Sequence, residues 1–259
     1  MKTFYHSTRN GGEPVTSKQA ILTGIAPDGG LYVSDQLGEE TLDMAAMVNQ
    51  GYHETVQKVL ATLIPDYSTE EIGSCVRNAY AENFDTPVVA PLTPLGRDWL
   101  LELHHGPTCA FKDVALQLLP HLMSVARGES GHRIMIVTAT SGDTGKAALA
   151  GFADVEGTGV TVFYPEGKVS EIQHLQMTTQ LGRNVAVCGV EGTFDDCQTQ
   201  VKRIFADTAL SERLHGRGVA LSSANSINVG RLVPQVVYYV DAYAQLVRSG
   251  TISVGDAVD

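Results

Sequence analysis

Cysteines, basic residues and long apolar runs are all scarce in this sequence. Its four cysteines are Cys75, Cys109, Cys188 and Cys197, and no two of them form a C-x-x-C pair. We therefore expect neither a disulfide framework nor a zinc site, and no other metal. No apolar stretch approaches the ~18 residues of a membrane span. Residues 1–10 also lack the apolar centre of a signal peptide. These absences predict a cytoplasmic protein without a membrane partner.

The shortage of basic side chains excludes further classes of protein. Eighteen Lys and Arg residues against 29 Asp and Glu residues leave a formal net charge of −11 and a pI near 5.1. An acidic surface repels nucleic-acid backbones and anionic lipid, so we expect no nucleic-acid partner. At 259 residues and 43% hydrophobic content, the chain can bury the core of one large domain or two smaller ones.

The first third of the chain is predicted to be mainly helical. Its predicted elements are a strand at 31–33 and helices at 42–63 and 68–82. Ser68 is expected to cap the second helix, with Glu71 completing a capping box. The prolines between residues 87 and 94 disfavour a helix and predict a linker or an irregular edge segment. We place a domain boundary near residue 85.

From residue 133 onward, strands and helices alternate. The predicted strands are 133–137, 160–164, 185–190 and 219–221. The predicted helices are 144–152, 170–181 with Ser170 as its N-cap, 193–210 and 230–247. Mostly apolar strands that alternate with helices at this spacing indicate βαβ units and a parallel sheet. The predicted fold class is open α/β.

The first candidate binding motif is the segment TSGDTGK at residues 140–146, between a predicted strand and a predicted helix. Ligands of open α/β sheets bind beyond the carboxyl ends of the strands, and a helix N-terminus favours an anion. The segment is not a P-loop, because only two residues separate Gly142 from Gly145, and it lacks the G-x-G of a dinucleotide fingerprint. An anion-binding loop and an ordinary turn with Ser and Thr caps both fit it.

The second motif is HHGPTCAFKD at residues 104–113. Apolar residues follow Lys112, and an apolar environment disfavours the charged form of a lysine and frees its amine as a nucleophile. Such an amine can form a Schiff base with an aldehyde cofactor. The alternative is a surface lysine paired with Asp113. His104 and His105 are candidate acid–base groups or ligands. Adjacent residues of an extended segment point to opposite faces, however, so we expect no histidine pair.

The third motif is SSANSINVGR at residues 222–231, again between a predicted strand and a predicted helix. Its short polar side chains and Arg231 can bind an anion or the head group of an amino acid. A capped loop with Arg231 on a solvated helix face is the alternative. Together the three motifs favour a cleft for a small polar anion and leave its chemistry open.

These segments resemble the signature sequences of one enzyme family, the threonine synthases. The resemblance is carried by ELHHGPTCAFKD at 102–113, by TATSGDTG at 138–145, and by NSIN at 225–228 with Arg231. YHSTR at 5–9, DGGLY at 28–32 and YPEGKVS at 164–170 are also similar to the family. Because the motifs follow the family's order from one end of the chain to the other, the resemblance is specific.

The resemblance implies a pyridoxal 5′-phosphate enzyme of fold type II that converts O-phospho-L-homoserine and water to L-threonine and phosphate. It implies that Lys112 binds the cofactor covalently and moves protons, and that Asp143 also contacts the cofactor. The implied substrate ligands are Ser141, Gly142, Thr144 and Gly145 in one loop and Asn225, Ser226, Asn228 and Arg231 in the other. Cys109 stands where the family has an aliphatic residue, and we expect it to keep a packing role.

The resemblance also sets the expected architecture. It implies a mainly helical N-terminal domain at 1–85, a large cofactor-binding domain built from 86–112 and 221–259, and a small open α/β domain at 113–220. Residues 251–254 look like the approach to a further strand, which in the family precedes the loop for the cofactor's phosphate. We therefore expect the front portion of a longer enzyme, with the C-terminal part of the fold missing. Either a monomer or a homodimer is compatible with the sequence.

Two alternatives to a threonine synthase stay open. The first is another fold type II enzyme, such as a serine/threonine dehydratase or a cysteine synthase. The second is a truncated, non-catalytic relative that acts as a binding or assembly module. Asp143 and the His-Gly-Pro-Thr approach to Lys112 favour a threonine synthase, and the retention of Lys112 argues against a non-catalytic role.

Overall fold

The computed structural model describes residues 4–39, 41–128 and 131–258, so the outer limits of the first and last expected domains, Met1 and Asp259, lie outside it. The strands are β1 Tyr5–Ser7, β2 Tyr32–Ser34, β3 Leu92–Leu95, β4 Asp98–Leu101, β5 Arg133–Ala139, β6 Thr158–Pro165, β7 Val185–Val190 and β8 Val219–Ser222. The helices are α1 Ser17–Thr23, α2 Met44–Met47, α3 Tyr52–Leu63, α4 Thr69–Tyr80, α5 Lys112–Leu116, α6 Leu119–Arg127, α7 Asp143–Phe152, α8 Glu171–Thr178, α9 Phe194–Ala206, α10 Thr208–His215 and α11 Val229–Arg248. None of the helices in the described ranges combines the length and apolar character needed to cross a membrane.

The N-terminal part is mainly helical, as predicted, and its cap at α4 is confirmed. Ser68 Oγ accepts a hydrogen bond from Glu71 N, and the Glu71 carboxylate accepts one from Ser68 N. The single helix predicted at 42–63 is wrong, because Gly51 is extended and starts α3 as its N-cap, separating α3 from α2. The cap at Ser68 could be predicted from the residues next to it. The break at Gly51 could not, because it interrupts a continuous apolar pattern.

The proline-rich stretch expected as a linker or irregular edge contains a hairpin. Strands β3 and β4 pair antiparallel, with Pro94 opposite Trp99. This pair forms a two-stranded sheet of its own within the described residues, so the missing N–H of Pro94 breaks no ladder on a second side. The hairpin connects the predicted boundary near residue 85 to the segment that precedes Lys112.

A parallel sheet of order β7-β6-β5-β8 confirms the predicted open α/β class. Ile136 of β5 belongs to the main core together with Leu149 of α7, while Val137 belongs to a second cluster with Val201 of α9. Helices therefore cover both faces, which explains the apolar strands. Strands β5 and β8 are neighbours, so the loops that follow them leave the sheet at the same edge.

Two other predicted segments differ from the structure. The helix predicted at 193–210 is two helices, because the side chain of Asp207 caps the start of α10 by accepting a hydrogen bond from Leu210 N. Residues 251–254 form no strand, although the sequence resembles the approach to one. The N-cap at Ser170 and the long helix α11 agree with the prediction.

Helix α5 packs between α7 and α11, the two helices that follow the first and third motifs. Its contact with α7 is very close, because a Cβ added at Gly151 would overlap the carbonyl oxygen of Leu116. Only glycine allows the two backbones to approach in this way. The close contact lies at the C-terminal end of α5, and Lys112 is the first residue of the same short helix.

Gly151→Ala is expected to lower the free energy of unfolding by about 1–3 kcal/mol, since the added methyl group must push α7 away from α5. Urea unfolding followed by circular dichroism measures the change. Gly216→Ala is the matched control, because Gly216 has an ordinary helical φ of −61° and its added Cβ would meet nothing closer than 3.5 Å. Equal stability losses in both variants would contradict this account of the helix contact.

Candidate active site

Lys112 is the first residue of α5, and its amine faces the first motif. Its Nζ lies 3.4 Å from Asp143 Oδ2 and 4.3 Å from the centre of the Phe111 ring. The alternative pairing with Asp113 is wrong, because the Asp113 carboxylate is buried and accepts hydrogen bonds from the N–H and hydroxyl of Thr108. The Lys112 side chain is 17% exposed, so its amine remains accessible.

The loop before α5 is built around that buried Asp113 carboxylate. Asp113 also accepts a hydrogen bond from Ala110 N, and its own side chain occupies the space that a Cβ at Gly106 would need. Burial raises the pKa of the Asp113 carboxyl above its usual value, although the Thr108 bonds oppose the shift. Cys109 is exposed, with a φ of +55°, so the packing role expected for it is wrong. The turn directs its side chain away from the core.

Asp143 is the centre of the charged cluster. Its Oδ1 accepts a 2.8 Å hydrogen bond from Gln173 Nε2 and lies 3.6 Å from Lys146 Nζ, while its Oδ2 faces Lys112. Burial alone would raise the pKa of this carboxyl, but the Gln173 bond and the two lysine charges outweigh it. The pKa of Asp143 is therefore lowered. Asp143 is ionised at neutral pH and holds Lys112 in place.

Lys146 and Gln173 join the motifs, although neither residue was a predicted site residue. Lys146 is buried and donates a 2.9 Å hydrogen bond to the carbonyl oxygen of Thr108, so it links the first motif to the second. Gln173 is also the capping-box partner of Ser170. The spacing of Asp143 and Lys146 on one helix face was a usable signal for the ion pair.

The loop between β5 and α7 presents free backbone donors. The N–H groups of Ser141, Asp143 and Thr144 donate to no acceptor among the residues that the structure describes. Gly142 has a φ of +139°, and a Cβ there would overlap the Gln173 amide. Gly145 lies against β6 with no room for a side chain, since a Cβ would lie 2.8 Å from a methyl group of Val162. The loop therefore suits an anion at the N-terminus of α7.

Both polar atoms of the Asn228 side chain form hydrogen bonds with the backbone. Its Nδ2 donates to the carbonyl oxygens of Ile21 and Ser223, and its Oδ1 accepts from Gly230 N. The residue is fully buried. These bonds cap α11 and tie it to α1, so we do not retain Asn228 among the substrate ligands.

Arg231 is buried, contrary to the alternative that placed it on a solvated helix face. Its Nη1 donates to the carbonyl oxygen of Ala224, and burial lowers its pKa to about 10. Its Nε, like Asn225 Oδ1, is buried without a hydrogen-bond partner in the described part of the chain. Ser226 is exposed. Among the described residues, no hydrogen bond or ion pair joins this loop to Lys112 or Asp143.

His104 and His105 form a pair, so the expectation of no histidine pair is wrong. Their rings stack with centroids 4.5 Å apart and an interplanar angle of 28°. The prediction assumed an extended segment, but residues 102–105 belong to no strand, so the two side chains lie on the same side. His105 also bonds to the carboxylates of Asp85 and Glu102.

Comparison with family models gives two adjoining matches. Residues 4–80 match the model described as "Threonine synthase N terminus", and residues 85–242 match the model described as "Pyridoxal-phosphate dependent enzyme". The second match covers more than half of the chain and includes Lys112, Asp143 and Arg231.

Individual relatives agree with these family models. The threonine synthase of Pseudomonas aeruginosa is 40% identical over 93% of this chain and 51% of its own length. The human protein named threonine synthase-like 1 is 42% identical over 93% of this chain and 34% of its own length. The chain thus spans about a third to a half of these curated relatives.

Solved structures show the same likeness. The PLP-bound threonine synthase of Brucella melitensis superimposes with a TM-score of 0.85 at 37% identity, over 99% of this chain and 53% of that one. The threonine synthase of Escherichia coli gives a TM-score of 0.81 at 34% identity, over 94% and 54% of the two chains.

Asp143→Asn is expected to lower the free energy of unfolding at neutral pH, with an effect that shrinks in acid. The folded pKa of this carboxyl lies below its unfolded value. Its stabilising contribution is therefore complete above the ordinary aspartate pKa of ~3.9 and is lost as the pH falls through the lower folded pKa. Urea unfolding over a pH series measures the difference. Asp195→Asn, at an exposed aspartate in the first turn of α9, is the control. A difference that grows in acid would contradict the assignment.

Asn228→Ala is expected to cost about 2–4 kcal/mol of stability, because it leaves buried carbonyl and N–H groups without partners. Asn225→Ala, in the same loop, is the control and is expected to change stability by less than ~0.5 kcal/mol, since its Oδ1 has no described partner to lose. Thermal or urea unfolding compares them. A stable Asn228→Ala variant with weakened substrate binding would return Asn228 to the list of substrate ligands.

Proposed function

The chain belongs to the family of pyridoxal-phosphate dependent enzymes, and on that premise we propose that it carries the lysine and the substrate loops of a threonine synthase. The proposed reaction converts O-phospho-L-homoserine and water to L-threonine and phosphate. One observation carries the proposal. The ion pair between Lys112 and Asp143 joins, at a single accessible amine, two of the motifs on which the family resemblance rests.

The residues around Lys112 fit the aldehyde end of pyridoxal phosphate. An aldehyde requires a primary amine that is accessible and only loosely held. Lys112 meets this requirement, because its ion pair is long at 3.4 Å. Lys146 does not, because it is buried and bonded to the carbonyl oxygen of Thr108. We therefore propose that Lys112 and Asp143 hold the cofactor. When bound, the cofactor supplies an electron sink for negative charge on the substrate carbons.

Lys112 is the proposed acid–base group of the reaction. Its Nζ would take and return protons at the substrate, and the Asp143 carboxylate lies 3.4 Å from that amine. Asp143 orients that amine, and Gln173 and Lys146 prevent the Asp143 side chain from turning away. Gln173 and Lys146 act through Asp143, so their loss is expected to slow the reaction without abolishing it.

The free N–H groups of the β5–α7 loop are the proposed site for the substrate's carboxylate. Ser141, Asp143 and Thr144 supply backbone donors, and the hydroxyls of Ser141 and Thr144 add two more. The positive end of the α7 dipole favours the same charge. Gly142 and Gly145 contribute by keeping the backbone open to the ligand.

Arg231 is the proposed partner of the substrate's phosphate, together with Asn225 and Ser226. A buried guanidinium is costly without a counter-ion. Among the described residues, Arg231 has no carboxylate within ion-pair distance, and its Nε has no acceptor. A phosphate would supply both the negative charge and the hydrogen-bond acceptor that Arg231 lacks. This unpaired charge favours a phosphorylated substrate over those of a serine/threonine dehydratase or a cysteine synthase.

The remaining assignments are also proposals. We propose a cytoplasmic protein with a small-molecule substrate and no nucleic-acid partner, on the basis of its acidic composition. The division into domains at 1–85, 86–112 with 221–259, and 113–220 stays a prediction, as does the choice between monomer and homodimer.

Lys112→Arg in the protein that carries this chain is expected to reduce phosphate release from O-phospho-L-homoserine by at least ~10²-fold. Arginine keeps the charge that faces Asp143 but cannot form the bond to the cofactor. A phosphate assay measures the rate. Lys168→Arg is the matched control, because Lys168 is exposed and lies outside both loops.

Assays with O-phospho-L-homoserine, O-acetylserine and threonine distinguish a threonine synthase from the two alternatives. A threonine synthase releases phosphate from O-phospho-L-homoserine and leaves O-acetylserine and threonine unchanged. Turnover of either of those two compounds in place of phosphohomoserine would identify a different enzyme of the family. Binding of phosphohomoserine without turnover by the wild-type protein would indicate the non-catalytic module.

A further inference from the structure

A cluster of two histidines and a glutamate lies outside the proposed active-site contacts, in the segment between β4 and the loop before Lys112. Glu102, His104 and His105 each bring one potential ligand atom, and these atoms all lie within 4.8 Å of one another. His105 Nε2 is 2.9 Å from Glu102 Oε2, and the two histidine rings stack. The proposed reaction gives none of these side chains a role.

A second layer of hydrogen bonds orients this cluster. Asp85 Oδ1 lies 2.6 Å from His105 Nδ1, which leaves Nε2 facing Glu102. Thr93 Oγ1 donates a 2.6 Å hydrogen bond to Glu102 Oε1, which leaves Oε2 facing His105. In metal sites, ligating histidines typically bond through their other nitrogen to a carboxylate, and ligating carboxylates are themselves hydrogen-bonded. Both features are present here.

We propose that Glu102, His104 and His105 bind one divalent transition-metal ion of the zinc class, with water completing the coordination. Two imidazole nitrogens and one carboxylate oxygen are a donor set that zinc takes in a tetrahedral site with one open position. The ion would replace the proton of the 2.9 Å hydrogen bond between His105 Nε2 and Glu102 Oε2, and that proton would pass to solvent. His104 is exposed and the Glu102 and His105 side chains are partly exposed, so the ion can enter from solvent.

The expectation of no metal was derived from cysteine spacing, and this donor set contains no cysteine. The ion would link β4 to the start of the Lys112 loop, with Asp85 and Thr93 supporting its ligands from the preceding segment. Its role is therefore to stabilise that loop, and the inference does not depend on the proposed reaction.

Titration of the metal-free protein with Zn²⁺ alone, by calorimetry and by metal analysis after dialysis, tests the proposal. We expect one saturable site per chain. Glu102→Gln and His104→Ala should each weaken it by at least ~10-fold, because each removes a ligand. Thr93→Val should weaken it less, since Thr93 only positions Glu102. Circular dichroism confirms folding, and the exposed His104 is the position least expected to disturb it.

Two controls exclude other zinc ligands. His215→Ala disrupts a second stacked histidine pair, with His132 at 4.5 Å, which has no carboxylate partner among the residues that the structure describes. Cys109→Ser removes an exposed thiol four residues after His105 in the sequence. Both variants should bind zinc like the wild type. Absence of saturable binding would overturn the proposal, as would binding that survives in folded Glu102→Gln and His104→Ala or disappears in Cys109→Ser.

Discussion

The site depends on one carboxylate held between two lysines. Asp143 faces Lys112 at 3.4 Å and Lys146 at 3.6 Å, and Gln173 fixes its orientation. The two lysines differ in what else they contact. Lys146 is buried and bonded to the carbonyl oxygen of Thr108, so its charge is structural, whereas Lys112 retains an accessible amine. One carboxylate therefore sets the position of a reactive lysine and binds together two loops that are distant in sequence.

The packing of helices α5, α7 and α11 brings Lys112 and Asp143 together. The C-terminal end of α5 is held against α7 by a close contact between Gly151 and Leu116, and α5 also packs on α11. The loops before α7 and α11 follow neighbouring strands of the parallel sheet and emerge at the same edge. Lys112 thus lies between the helices that carry the other two motifs. Backbone donors at 141–144 and the buried charge of Arg231 add anion-binding capacity near that edge.

Features set by local chemistry were predictable, and those set by distant contacts were not. The four strands of the parallel sheet were recognisable because a sheet covered on both faces needs continuous apolar runs. The caps at Ser68 and Ser170 depend on residues only three positions away. Gln173 was not predicted as a site residue, because its bond to Asp143 depends on how α8 docks on α7. Asn228 was assigned to substrate for the same reason, since its bond to Ile21 crosses most of the chain.

The central claim is that the amine of Lys112, and not that of Lys146, is the reactive one. Incubation of the protein with pyridoxal 5′-phosphate, reduction with borohydride and peptide mass spectrometry tests this directly, because reduction makes the bond between the cofactor's aldehyde carbon and the amine permanent. The account predicts that the label lies on Lys112 and that Asp143→Asn slows its formation. A label on Lys146, or on any lysine other than Lys112, would contradict it.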